Sequence, residues 1–427
     1  MCTFTADRKV SGIVELCHYF RLIKSFSVMS VTSKPKVLLV GGGLTSAAIA
    51  SLLAERKAEV SLSIWDKAGR TGGRMTTHRR VGGGPGQVDL GAQYITATSS
   101  YQLSHARFYK ELIKAGLLRP LVTSSRSQLV DMVTRTEIGE KMTVGGREKT
   151  GVSISLDDKF WEEPRDSSQP VNLVRSSNYV TPLGVESIVD YFWKKAGCEV
   201  GRFHPLQQLD LVDKQWVAKT GEKVEEFDCV VTTMPVPQLL GEFPAPEGLV
   251  GGNFLDIVKS DDVLYNNLRS VKFNSIFCLG LFYDMSLTDM LGLSWKAKYF
   301  PLDPVIRFIS MDNIKRGDTK SATSISVQCQ VPYAMQNMHK SKQEMIEPMM
   351  SHLTTLLPNL PPPSCILSHK WRYSQTSHPY PGEPGCVLLH SSPPLLAAGD
   401  SFTHSNMDGC LASATATADT LRRVLEL

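Results

Sequence analysis

The sequence predicts an α/β protein in which a Rossmann-type nucleotide-binding domain is joined to a second, mixed α+β domain. Three observations carry that reading. The glycine turn Gly41-Gly42-Gly43 follows an apolar run and precedes a stretch of small residues. Asp66 closes the next apolar run, 23 positions after Gly43. A second glycine cluster, Arg70-Thr71-Gly72-Gly73-Arg74, lies directly behind it.

Each part has a physical reason. The apolar run 37–40 reads as a buried strand, and Gly41 permits the sharp turn that ends it. Gly43 lets backbone come close to a pyrophosphate, and a helix over 46–55 presents unpaired N–H groups and a partial positive charge to it. Ser46 stands where a third glycine is usual and is small enough to keep helix and strand close. A strand over 60–64 then delivers Asp66 to a ribose diol. Arg74 can pair bidentately with phosphate oxygens, which a lysine cannot do.

Composition narrows the class. A chain of 427 residues can bury one large core or two medium ones, and 42% hydrophobic with 21% charged residues reads as soluble and globular. A formal charge of +4 predicts no nucleic-acid surface. No apolar run approaches the roughly 18 residues of a membrane span. Nine cysteines without C-x-x-C spacing argue against zinc and against a disulfide framework, and their odd number favours a reducing compartment. Residues 1–34 hold five basic and two acidic residues and no continuous apolar core, so no secretory signal is expected and a cytoplasmic location is. Met29 is an alternative start.

Further along, 101–118 reads as an amphipathic helix with Phe108, Leu112 and Ala115 on one face. Val185, Ile188, Val189 and Phe192 mark another helical face. Short strands are expected within 200–211, 215–219 and 227–233, with Pro235 and Pro237 ending the last and turning the chain outward. A buried strand over 395–400 ends at Asp400, and Asp408-Gly409 opens a helix over 410–420. Strands over 271–283, 305–311 and 321–330, with a helix over 343–357, make up the second domain. The stretch from 121 to about 178 is polar and irregular.

The cluster Arg70-Thr71-Gly72-Gly73-Arg74 matches the R-x-G-G-R stretch of flavoproteins resembling the amine oxidases. With Asp89–Ile95, Val231–Pro237 and Gly399–Gly409, the chain resembles the renalase family from about Lys36 onward. The likeness implies a p-hydroxybenzoate hydroxylase/amine oxidase-like fold binding FAD. Its FAD domain would comprise 35–96, 179–238 and 395–427, and its substrate domain 97–178 and 239–394, with 121–178 an atypical insertion and 1–34 an extension. It places Gly41, Gly43, Thr45, Asp66, Lys67 and Gly73 on the cofactor, Arg74 on the diphosphate and Asp400 on the ribityl chain. Gln93 and Tyr94 fall along the isoalloxazine, Leu206 beside the adenine through backbone groups, and Gly409 at a helix N-terminus facing the pyrimidine edge. Tyr94, Arg307, Trp371 and Tyr373, with Trp295, are candidates for the substrate cavity.

No catalytic triad or metal cluster is evident, and His78, His378 and His404 read as loop residues. The resemblance implies oxidation of 2- and 6-dihydro isomers of NAD(P)H at flavin N5, with O2 reduced to hydrogen peroxide, a metabolite-repair activity. It also leaves secretion open. An amine oxidase, and a non-enzymatic extracellular protein retaining FAD, are the competing readings. Small-molecule substrate and O2 are the expected partners.

Overall fold

The structure is a computed structural model that describes residues 34–121, 177–242, 251–293 and 295–427. The expected N-terminal extension, with Met29, and all but the ends of the 121–178 insertion lie outside these residues.

The first strand, Lys36–Val40, is apolar throughout its buried part because both faces of its sheet are covered. The sheet order is Cys386–Ser391, Pro394–Ala398, Cys229–Thr232, Lys36–Val40, Ser61–Trp65. The last four strands run parallel, and Cys386–Ser391 adds an antiparallel edge. Strand order reverses at Lys36–Val40, which lies between the next strand, Ser61–Trp65, and the distant Cys229–Thr232, and the crevice beyond its carboxyl end is where a doubly wound sheet receives a ligand. Helices Leu44–Glu55, Glu186–Ala196 and Met407–Val424 cover one face, sharing a core that includes Ala47, Val189 and Leu411. The other face carries the antiparallel strands Gln208–Val212, Gln215–Thr220 and Lys223–Phe227, with helices Phe254–Lys259 and Asp262–Arg269.

The second domain is built on an antiparallel five-stranded sheet ordered Ala297–Tyr299, Ile306–Met311, Ser324–Cys329, Lys272–Phe282, Cys365–His378. Helix Ile346–Leu356 buries Met349 and Leu353 in the same core. Pairing slips between Ile306 and Phe308, so Arg307 is the extra residue of a bulge. Among the described residues, no helix is long and apolar enough to cross a membrane.

Several elements differ from expectation. The helix expected over 101–118 breaks at His105 into Ser99–Ser104 and Ala106–Lys114. His105 is pulled into the protein by Asp408, its Nδ1 lying 2.7 Å from Asp408 Oδ1. The buried face is Phe108, Tyr109 and Leu112, while Ala115 is exposed. This segment, expected with the substrate domain, packs into the core of the nucleotide side. Within 200–211 only Gln208–Val212 forms a strand. Pro235 does not turn the chain outward; it precedes the short helix Val236–Leu239, all of it buried.

Candidate functional site

The glycine turn is held by specific contacts. Gly41 has φ +114°, and a methyl group there would lie 2.5 Å from Thr233 Oγ1. Gly42 N–H donates to Asp66 Oδ2, and Gly42 carbonyl accepts from Gly72 N–H at 3.0 Å. Gly43 differs: a Cβ there would meet nothing within 4 Å, and its φ of −86° suits any residue. Gly43 caps helix Leu44–Glu55 without a side-chain hydrogen bond, so first-turn N–H groups face this open space. Gly73 (φ +54°) closes on Gly43 from the other side, a Cβ there reaching to 3.5 Å of Gly43 Cα. An uncapped helix start beside room for one more group is the shape a diphosphate needs, so these residues fit FAD.

Asp66 also accepts from Ala68 N–H at 2.7 Å, and each of its oxygens retains a further lone pair. Burial raises its pKa, against these two backbone donors and exposed Lys67. Thr45 is buried and hydrogen-bonds the Cys410 thiol, which burial pushes up to about 12. Leu206 is buried in the core cluster that also holds Trp65 and Phe227.

Arg74 and Asp400, which the sequence assigns to two parts of a cofactor, meet each other. Arg74 Nη1 donates to Asp400 Oδ2 at 2.7 Å and Nη2 to Oδ1 at 2.5 Å. Ser405 and Thr376 hydroxyls donate to the same carboxylate at 2.8 and 3.1 Å. Burial drives the Asp400 carboxyl up, but Arg74 and the two hydroxyls more than offset it and hold the group below the usual carboxylate range. The two residues are therefore one unit, and the arginine fork faces a carboxylate. Gly409 cannot carry a side chain, since a Cβ would collide with the carbonyl of His404, and its N–H is taken by Asn406 Oδ1 at 2.8 Å.

The segment Asp89–Gln93 is gripped by the second domain. Ser324, Ser326 and Gln328, alternate residues of one strand, donate to the carbonyls of Gln87, Asp89 and Gly91 at 2.9, 2.9 and 3.0 Å. Those side chains thus act as rungs of a ladder in place of a neighbouring backbone. Trp371 Nε1 donates to Leu90 carbonyl at 2.9 Å, and Asp89 N–H donates to Asp312 Oδ2 at 2.7 Å. Gln93 is buried, its Nε2 donating to Asp89 carbonyl and Ser326 Oγ, its Oε1 accepting from Lys315 Nζ at 3.1 Å. Beneath lie four buried charges: Lys315 is 2.9 Å from Asp312, and Arg316 pairs with both Asp89 and Asp312. Burial opposes ionisation of Asp312, yet Lys315 and Arg316 bring its pKa below the ordinary value.

Of the substrate candidates, Tyr94 places its hydroxyl 3.1 Å from that of Tyr299, which itself packs on Phe308. Arg307 is buried at its bulge and electrostatically opposes the rise that burial imposes on the Cys278 and Cys329 thiols. Tyr373 stands edge-on to Phe273, and Trp295 lies in the second core against Phe300. His78 is not a loop residue: it sits on strand Thr77–Arg79 with its ring 5.7 Å from that of His369. His404 stacks on Tyr101 at 5.0 Å, and His378 ends the long strand Cys365–His378. Sequence reasoning missed Lys315, Arg316, Asp312, Gln328, Tyr299 and the His105–Asp408–Tyr109 cluster, in which Tyr109 OH donates to Asp408 at 2.7 Å. The alternation of Ser324, Ser326 and Gln328 in a strand otherwise apolar was a readable signal.

Comparison with known proteins bears on this geometry. Residues 39–112 match the profile of the NAD(P)-binding Rossmann-like domain, and residues 166–422 that of flavin containing amine oxidoreductases. The chain is 33% identical over 394 residues to renalase of Mus musculus, covering 91% of this chain and 99% of that protein. The crystal structure of an Exiguobacterium sp. 255-15 protein described as a protoporphyrinogen oxidase superposes with a TM-score of 0.61 at 15% identity, over 93% of this chain and 100% of that one. That likeness is one of fold.

Proposed function

The chain belongs to the renalase family of the flavin-containing amine oxidoreductases, with FAD as its cofactor, and from that premise we propose that it oxidises 2- and 6-dihydro isomers of NAD(P)H to NAD(P)+. Bound FAD would supply the electron sink, a hydride acceptor at N5, with O2 as the final acceptor and hydrogen peroxide as the reduced product. Gly41, Gly43 and the uncapped start of helix Leu44–Glu55 hold the phosphates, with Thr45 and Gly73 shaping the turn. Asp66 accepts from the ribose diol, exposed Lys67 lies beside it, and backbone at Leu206 passes the adenine. The Arg74–Asp400 unit serves the diphosphate and ribityl chain together. Tyr94, Arg307, Trp371 and Tyr373 orient the substrate.

One observation carries the choice of reaction. The carboxylates and cations gathered where the two domains meet are paired with one another: Asp400 with Arg74, Asp89 and Asp312 with Lys315 and Arg316. Among the described residues, this pairing leaves none of these carboxylates free as a proton acceptor, and the site offers orientation and exclusion of water. A dihydronicotinamide gives up hydride without general-base help, so holding it in an attack geometry suffices. An amine must first lose a proton.

Anaerobic mixing of the holoprotein with 2-, 4- and 6-dihydro-NAD isomers and with simple amines tests this. Flavin bleaching by the 2- or 6-isomers alone is expected. Bleaching by amines alone would replace the reading with an amine oxidase, and no bleaching at all would leave FAD a structural group.

A further inference from the structure

The grip on Asp89–Gln93 is unusual in its source. Backbone carbonyls of Asp89, Leu90 and Gly91 accept from Ser326, Trp371 and Gln328, all side chains of the second domain. Gln93 is fixed by Lys315, because an ammonium can only donate and so compels Oε1 rather than Nε2 to face it. The Gln93 amide therefore has one orientation. Lys315 is itself held by Asp312, and its side chain is 1% exposed. Gly91 adds a steric lock, since a Cβ there would collide with the carbonyl of Arg74.

We propose that Lys315 and Gln328 are positioning residues for the flavin, fixing Asp89–Gln93 from the substrate-domain side so that the cofactor's environment depends on that domain being docked. The proposal rests on the reading that this segment runs along the isoalloxazine. Neither residue needs to touch the cofactor. Lys315 acts through the Gln93 amide, and Gln328 through the Gly91 carbonyl.

The test uses the full chain with FAD and three variants, Lys315→Met, Gln328→Leu and Gln93→Leu. The readouts are the FAD dissociation constant and the visible circular dichroism of bound flavin, a signal that general loss of stability does not reshape. Each variant is expected to weaken FAD binding about tenfold and to change the flavin dichroism in the same sense. The double variant Lys315→Met with Gln93→Leu should be no more than about twofold worse than the worse of the two alone, since the effect on the flavin passes through the one Lys315–Gln93 contact that both remove. Lys315→Arg, which keeps a donor, should recover most of the wild-type spectrum. If Lys315→Met does not fold, Gln328→Leu, a neutral anchor, carries the same test.

The proposal is overturned if Gln93→Leu alters the dichroism while Lys315→Met and Gln328→Leu leave it as in wild type, or if the double variant is additive. A different failure sinks the underlying reading instead: wild type binds FAD, but Gln93→Leu and Tyr94→Phe both leave the flavin spectrum unchanged.

Discussion

At Gly43 two requirements that usually coincide come apart. The backbone there is one that alanine adopts readily, and open space surrounds the missing methyl. Gly43→Ala is therefore expected to leave thermal stability of the FAD-free protein within about 0.5 kcal/mol of wild type while weakening FAD at least about tenfold. Calorimetry and flavin titration check the two halves separately. Gly91→Ala should do the reverse in kind, costing about 3 kcal/mol of stability because the obstacle is backbone. Arg74→Ala strands a buried carboxylate, so it should lower flavin retention and stability together, the latter by about 2 kcal/mol after allowance for its partial exposure. Full flavin occupancy of Arg74→Ala after gel filtration would remove Arg74 from the site. Asp400→Asn keeps the shape and separates the loss of charge pairing from the loss of the arginine.

Elements explain what could be read from sequence and what could not. The strand–glycine turn–helix–strand unit is legible because its signals are local: Val37, Leu38 and Leu39 are fully buried, and the turn and acid sit at their ends. The 14-residue strand Cys365–His378 is not legible. Nearly all its residues are half-buried, with polar and apolar side chains mixed on both faces, so period-two alternation never appears. That strand also carries a pH response. Desolvation, then the mutual repulsion felt at His78, lowers His78 to about 4, and burial lowers His369 to about 4, both from 6.5. The unfolded chain binds protons on these rings more readily than the folded one between those values. Stability is therefore complete above about pH 6.5 and is lost as pH falls toward about 4. Urea midpoints measured across that window should show the slope, and His78→Gln with His369→Gln should reduce it, the remainder coming from His404, which burial also lowers. Asp312 and Asp400, depressed below the usual carboxylate range, add loss only at more acid pH, as each is protonated through its lowered value.

At the scale of the molecule, the two domains are joined by the Asp89–Asp312–Lys315–Arg316 cluster, whose members Asp89 and Arg316 lie 227 positions apart. No periodicity or spacing can reveal such a pairing, which exists only once both domains are built. Asp89 is visible in sequence as part of a familiar stretch; its partners are anonymous charges after a strand. Arg316→Met should cost about 3–5 kcal/mol, since it leaves two buried carboxylates with one cation. Unfolding should remain a single transition in which Trp216, on the nucleotide side, and Trp295, in the second core, report the same midpoint. Free FAD at about 100 times its dissociation constant should raise stability by about 2.7 kcal/mol, and two separate midpoints would show the cluster not to couple the domains.

The central sheet also imposes an order of events during synthesis. The parallel strand Pro394–Ala398, paired with Cys229–Thr232, begins 351 positions after Gly43, and the covering helix Met407–Val424 follows it, although both complete the domain that the glycine turn opens. A ribosome must have delivered helix Met407–Val424 before it can pack on helix Leu44–Glu55, so the core of the nucleotide side stays incomplete in the nascent chain until then. Ribosome-stalled chains ending before residue 394 should accordingly capture no flavin and should depend on holdase chaperones.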